Sequence, residues 1–435
     1  MLAQALDRWF QLRARGTDVR TELLAGASTF LTMSYVVLVH PKILADAGMD
    51  PGAVFVATCL ASALGSLLMG LWANLPIGLA PGMGLNAWFA YTVCGAMGYS
   101  WQTALGAVFL SGLGFLALGL LGVRRALIEA MPVPLQHGVS AGIGLFLALI
   151  GLKSAGVVVA NPATLVALGD VTQPGVLLAG LGFLLTVALA GRGWTSAVLV
   201  GVLSTTALSV ALGVSGFAGV MAPPPSVWPV LGQLDVRGAL DHGLVSVVLT
   251  FLFVDLFDNS GTLVGVAHAG GLVGRDGQIP GLDRAMQVDA VSAAAGAVLG
   301  TSTTTSYIES VAGIAAGGRT GLVAVTVAAC FLLALFFSPL AATVPPHATA
   351  GALLFVAVLM ARGLAKLPWE DPVQAGPALV AALTMPFTFS IAHGLSLGVL
   401  AWVGAHMLAG RWRELPPALV AVAALCAARL GWLGG

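Results

Sequence analysis

Apolar runs of about 15 to 22 residues recur from Leu23 to Leu433, separated by short polar or charged turns. Each is close to the roughly 20 residues a helix needs to cross a bilayer. The pattern predicts spans near 23–40, 53–72, 76–95, 103–122, 138–158, 175–191 and 195–217. After a Pro223-Pro224-Pro225 loop a second set follows near 243–266, 285–300, 302–316, 319–337, 348–361, 376–391 and 394–409. That makes about fourteen spans, and the pattern leaves open whether the apolar tail from Pro416 to Leu433 also crosses.

The third span of each half breaks the pattern. Pro76 to Trp88 holds Pro76, Pro81, Gly78, Gly82 and Gly84 inside a membrane-length stretch, and these residues argue against a regular helix. Its counterpart runs Thr301-Ser302-Thr303-Thr304-Thr305-Ser306-Tyr307-Ile308-Glu309-Ser310, six consecutive hydroxyl residues and then an acid. The β-branched threonines favour extended backbone. Each third span therefore reads as a short strand followed by a half-helix. Lipid cannot satisfy an extended backbone, so the economical arrangement pairs the two strands with each other. The half-helices then start near the membrane centre with their N–H groups aimed at one place, and Asn86 and Glu309 fall in their first turns.

The halves are also related in sequence. Leu31-Thr32-Met33-Ser34-Tyr35-Val36-Val37-Leu38-Val39-His40 lies over Leu249-Thr250-Phe251-Leu252-Phe253-Val254-Asp255-Leu256-Phe257-Asp258, with matches at Leu, Thr, Val and Leu. With seven spans per half, an odd number, the two repeats have opposite topology, a common build among secondary transporters. The predicted fold class is an all-α polytopic membrane protein, a seven-plus-seven inverted repeat with two short antiparallel strands in spans 3 and 10.

Acids inside spans are rare and mark ion or substrate paths. Besides Glu309, the eighth span carries Asp255 and Asp258, followed by Asn259, Ser260, Gly261 and Thr262. At a spacing of three the aspartates share a helix face, and two buried carboxylates that close do not both ionise easily, which suits a proton carrier. His40, His268 and His393 read as interfacial. Lys153 and Asp289 read as facing loops or snorkelling. Phe30, Trp88, Phe251, Phe253, Phe257 and Tyr307 border the polar positions; packing is the ordinary role of such rings, and stacking on a flat heterocycle is the alternative.

Composition agrees with the pattern. Of 435 residues 58% are hydrophobic and 8% charged, the mean hydropathy is +0.98, and an ordinary soluble domain carries roughly 25% charged residues. The formal net charge is zero, which excludes a basic nucleic-acid surface. Cys59, Cys94, Cys330 and Cys426 stand singly in apolar stretches and read as small buried hydrophobes. No cofactor or metal motif is found. Residues 1–20, with Trp9, Phe10 and Leu12 beside Arg8, Arg13 and Arg15, read as an amphipathic surface helix without a cleavable signal. Their arginines predict a cytoplasmic N-terminus. Alternation from there puts Arg124, Arg125, Arg192, Arg275, Arg284, Arg319, Arg362, Lys366, Arg411 and Arg413 on the same side, with Lys42 and Arg237 as exceptions.

Thr29-Phe30-Leu31-Thr32-Met33-Ser34-Tyr35, Ala80-Pro81-Gly82-Met83-Gly84-Leu85-Asn86-Ala87, Phe253-Val254-Asp255-Leu256-Phe257-Asp258, Gly261-Thr262-Leu263-Val264-Gly265, Thr305-Ser306-Tyr307-Ile308-Glu309-Ser310 and Ala316-Gly317-Gly318-Arg319-Thr320-Gly321 closely resemble the AzgA-like purine permeases. These are the hypoxanthine/adenine/guanine branch of the xanthine/uracil permease (nucleobase:cation symporter-2) superfamily. The resemblance runs from about Thr21 to Trp412. It implies a core domain of spans 1–4 and 8–11 and a gate domain of spans 5–7 and 12–14. On this chain that corresponds to an N-terminal segment 1–20, core 21–125, gate 126–222, linker 223–242, core 243–338 and gate 339–435. It also implies purine:proton symport across the cell (inner or plasma) membrane, with Glu309, Asp258, Asn86, Asp255 and Ser306 at substrate-binding positions and Asp258 or Asp255 carrying the proton. Two departures stand out: His40 where relatives often have Asn, and His393 where they have Asp or Asn.

The expected mechanism is alternating access. A neutral purine donates ring N–H bonds to Glu309 and accepts from backbone N–H groups at the half-helix start. Protonation of Asp258 or Asp255 then lets the loaded core move past the gate. A homodimer is left open. Rival readings are a uracil or xanthine symporter on the same fold, an anion exchanger, which acids at the site disfavour, and a membrane-embedded hydrolase, for which no nucleophile or metal-ligand constellation lies nearby.

Overall fold

The computed structural model describes residues 2–121, 131–162, 164–240, 245–269, 272 and 279–433. Arg124, Arg125, Arg275 and the His268 side chain, named above, lie outside the described residues.

Helix α1 (Leu2–Phe10) is the predicted amphipathic segment. Phe10 and Leu12 bury against Leu322 while Trp9 is exposed, and the Arg15 guanidinium donates to the carbonyls of Asn74 and Arg319 at 3.0 and 3.2 Å. Span 1 is interrupted: α2 (Val19–Met33), capped by Asp18 accepting from Thr21 N–H, stops before Ser34-Tyr35, and α3 (Val36–Ala45) continues it. Next come α4 (Pro51–Leu68), extended by a π-helical turn Met69–Ala73, and strand β1 (Leu79–Pro81). Beyond the strand lie α5 (Met83–Ala87), a π-helical stretch Trp88–Ala96 and α6 (Trp101–Leu120). Then follow α7 (Val133–Ala155), hairpin strands β2 (Val158–Asn161) and β3 (Leu165–Leu168), α8 (Pro174–Gly191) and α9 (Ala197–Ala211).

The expected linker is not a bare loop. Its α10 (Val236–Ala239) is capped by Asp235 and packs on α6, and Asp235 N–H donates to Gln102 O at 2.9 Å. The second half holds α11 (Val245–Ala269), α12 (Leu282–Leu299), β4 (Thr304–Ser306), α13 (Ser310–Ala315) and α14 (Gly321–Ala334). It continues through α15 (Ser338–Thr343), α16 (Pro346–Ala361), α17 (Pro372–Phe387), α18 (Ile391–Leu408) and α19 (Pro417–Leu433), the last packed on α18.

Seven helical stretches among the described residues are long and apolar enough to cross a membrane, and the two third spans are interrupted by strands β1 and β4. Interruption is what the third spans predict. β1 and β4 pair antiparallel in the register Leu79↔Ser306, Ala80↔Thr305, Pro81↔Thr304. Gly82 N–H donates to Thr303 O at 2.9 Å and Tyr307 N–H to Gly78 O at 3.0 Å, so the crossed strands satisfy each other in place of water. The β2–β3 hairpin, with Leu165 and Leu168 well exposed, has no sequence counterpart in the predicted pattern, which contains two strands where the described residues form four.

The helices pack in two sets. In one, α14 packs on α2 and α4, and α12 on α4 and α6. In the other, α16 packs on α7 and α8, and α17 on α7 and α18. Close glycine contacts tighten both: a Cβ on Gly70 would meet Gly321 O at 2.5 Å in the first set, and one on Gly142 would meet Met385 Sδ at 2.6 Å in the second.

Candidate functional site

The crossed strands bring the predicted residues of three separate spans to one place. α11 presents Asp255, Asp258 and Asn259, and β4 ends at Ser306 with Tyr307, Ile308 and Glu309 leading into α13. Asn259 is the junction: its Nδ2 donates to Asp255 Oδ1 at 2.9 Å, and its Oδ1 accepts from Ser306 N–H at 3.0 Å. The Ser306 hydroxyl donates to Asp289 Oδ1, 2.9 Å away, with Oδ2 at 3.2 Å.

The carboxyls differ in access. Asp255 is fully enclosed, its Oδ2 without a hydrogen-bond partner among the described residues. Asp258 and Glu309 are half-buried and within electrostatic reach of each other. Tyr35, 1% exposed at the break in span 1, donates its hydroxyl to Glu309 Oε1 at 3.0 Å, and Thr32 Oγ1 reaches Glu309 O at 3.4 Å. The neighbouring phenol of Tyr307 is committed elsewhere, to Pro81 O.

Asn86 lies with this constellation but faces inward. It is fully buried, and its Nδ2 meets His40 Nδ1 at 2.7 Å while His40 Nε2 meets Thr301 Oγ1 at 2.8 Å. With the amide as donor, the imidazole accepts at Nδ1 and donates from Nε2, the neutral tautomer. Asn86 Oδ1 keeps no partner among the described residues.

Several sequence expectations are corrected. His40 is not interfacial: it is fully buried and ties the start of the β4 segment to α5. Asp289 does not face a loop, because α12 begins at Leu282 and places it two turns inside, fully buried against Ser306. At the β4 half-helix several N–H groups are already engaged: those of Ser306 and Tyr307 go to Asn259 and Gly78, and those of Ser310, Val311 and Ala312 to carbonyls one turn back. Trp88 and Phe251 are both fully buried, ring centroids 4.4 Å apart and edge-on, so they pack together; the Phe257 side chain lies outside the described residues. Lys153 sits 5.8 Å over the ring of Phe389, a cation–π contact at a helix end. Tyr35 and Asn259 were missed as site residues; the polar run Asp258-Asn259-Ser260-Gly261 signals Asn259, while nothing local distinguishes Tyr35 from a packing tyrosine.

The permease family model Xan_ur_permease matches residues 20–397. The adenine permease AdeQ of Escherichia coli is 49% identical over 425 residues, 98% of this chain and 96% of that protein. The guanine/hypoxanthine permease PbuO of Bacillus subtilis is 41% identical, with 96% of this chain and 98% of that protein covered. Among solved structures the transmembrane domain of the cyanobacterial bicarbonate transporter BicA aligns with a TM-score of 0.64 at 16% identity, over 87% of this chain and 97% of that one, a likeness of fold alone.

Proposed function

This chain belongs to the Xan_ur_permease family of permeases and is a multi-pass membrane transporter, not an enzyme, and from that premise we propose that it carries purine nucleobases into the cell by proton symport. Adenine is the first substrate we assign, because the relative at 49% identity is named an adenine permease and the guanine/hypoxanthine permease stands at 41%. The observation that carries the site assignment is the pair of half-buried carboxyls, Glu309 and Asp258, beside the strand crossing, whose own residues are buried.

In this reading Glu309 accepts a purine ring N–H and Asp258 carries the proton. Asp255, Ser306 and Asn86 act through their hydrogen bonds, holding α11, β4 and α5 in register. The two helix sets are core and gate: the core, residues 21–125 and 243–338, moves against the gate, residues 126–222 and 339–435, and exposes the site alternately. The N-terminus is cytoplasmic and the protein resides in the cell membrane, where a potential adds roughly 2.3 kcal/mol per proton charge per 100 mV. A homodimer is compatible with this scheme.

Purified protein in liposomes with an imposed inside-alkaline pH gradient tests the reading. Adenine, hypoxanthine and guanine should accumulate, and Glu309→Gln should abolish accumulation. Accumulation of uracil or xanthine in their place would favour the rival substrates, and full purine uptake by Glu309→Gln protein would remove the site assignment.

A further inference from the structure

Within that reading, on which it rests, we propose that Tyr35 is a positioning residue that sets which purine edge Glu309 accepts and so discriminates against guanine. The break in span 1 between α2 and α3 turns the Tyr35 ring toward the end of β4, where its hydroxyl donates to Glu309 Oε1 at 3.0 Å. Tyr35 is 1% exposed, so the phenol has no solvent to turn to, and losing this acceptor would leave a buried donor unpaired. Tyr307 cannot take over, since its hydroxyl is held by Pro81 O. The Thr32 hydroxyl, which donates to Thr29 O at 2.7 Å, lies 3.4 Å from Glu309 O beneath the same carboxyl.

The chemistry of the bases turns this contact into a selectivity device. An ionised carboxylate has two acceptor oxygens and takes two parallel donors in a bidentate pair. Guanine offers such a pair, N1–H beside the 2-amino group. Adenine and hypoxanthine in their N9–H forms do not: no edge of either sets two N–H donors side by side. The Tyr35 hydroxyl occupies one of the two lone pairs of Oε1, while Oε2 keeps both. A single ring or exocyclic N–H satisfies Oε2. The double donor of guanine has to share Oε1 with a buried phenol that already draws on its charge.

Displacement of radiolabelled adenine from purified, detergent-solubilised protein by unlabelled hypoxanthine and guanine tests this, comparing the unmutated protein with Tyr35→Phe. Tyr35→Phe frees Oε1, so guanine should gain about tenfold relative to adenine, the worth of one charge-assisted hydrogen bond. The hypoxanthine-to-adenine ratio should not move. The ratios are read from displacement of bound label, so they do not depend on how much of the variant is folded. An unchanged guanine-to-adenine ratio, equal weakening of all three bases, or a variant that binds none would overturn the inference. If the unmutated protein itself bound no purine, the functional reading would fall first, and that result is distinct from an unchanged ratio.

Discussion

Ser306 and Asp289 are joined through the serine hydroxyl, which lies 2.9 and 3.2 Å from the two carboxylate oxygens, while the N–H of the same serine is held by Asn259. One residue thus fixes the end of β4 to both α11 and α12. Asp289→Asn keeps an acceptor oxygen for the hydroxyl, whereas Asp289→Leu leaves that buried hydroxyl unpaired at a cost of about 1–3 kcal/mol. The expected result is a larger fall in thermal midpoint of the detergent-solubilised protein for Leu than for Asn, with purine uptake following the same order. Equal midpoints for the two variants would show that the tie does not hold the strand.

His40 bridges Asn86 and Thr301, 46 and 261 residues away in sequence. His40→Phe fills similar volume but removes both partners at once, leaving a buried amide donor and a buried hydroxyl, each costing about 1–3 kcal/mol. His40→Gln, with one acceptor and one donor at a comparable reach, should recover part of that loss. Thermal unfolding of both variants measures it, and a His40→Phe protein as stable as the unmutated one would mean that the bridge contributes nothing.

These ties explain what was and was not legible in the sequence. The strand crossing was legible because prolines, glycines and six hydroxyl residues cannot sit in lipid as regular helix, and only pairing satisfies their backbone. Glu309, Asp255 and Asp258 were legible because acids inside apolar runs are costly. Asp289 and His40 were misread because each stood near an estimated span end, and a shift of a few residues in where α12 begins moves Asp289 from interface to interior. Tyr35 was illegible for another reason: its value comes from Glu309, 274 residues away, and only the fold creates that distance. The β2–β3 hairpin was missed because its short apolar strands continue the apolar run of the fifth span without a change of period.

Gly84 separates effects on movement from effects on folding. A Cβ at Gly84, on α5, would collide with Ile143 Cγ2, on α7 in the other packing set. Gly84→Ala should therefore slow purine translocation while the thermal midpoint changes little, and Ile143→Ala in the same chain, which removes the clashing Cγ2, should restore the rate. Gly70→Ala meets Gly321 within one set, where overpacking costs about 1–3 kcal/mol, so there the midpoint should fall. Matching behaviour of the two alanine variants in transport and melting would argue against a sliding surface at Gly84.

Asp255 and Asp258 share a helix face yet are not equivalent. Asp255 is enclosed and accepts from Asn259, which in turn holds Ser306 N–H, so a change at Asp255 is passed to β4 and alters structure as well as charge. Asp258 is half-buried beside Glu309, so it can exchange a proton with water when the site is open. Asp258→Asn, fixed in a neutral form, should lose accumulation driven by a pH gradient while retaining exchange of labelled for unlabelled purine, because exchange needs no net proton movement. Asp255→Asn should impair both and lower the thermal midpoint. Paired measurements of gradient-driven uptake and exchange in liposomes distinguish the two, and gradient-driven accumulation by Asp258→Asn at the unmutated rate would move the proton to another group.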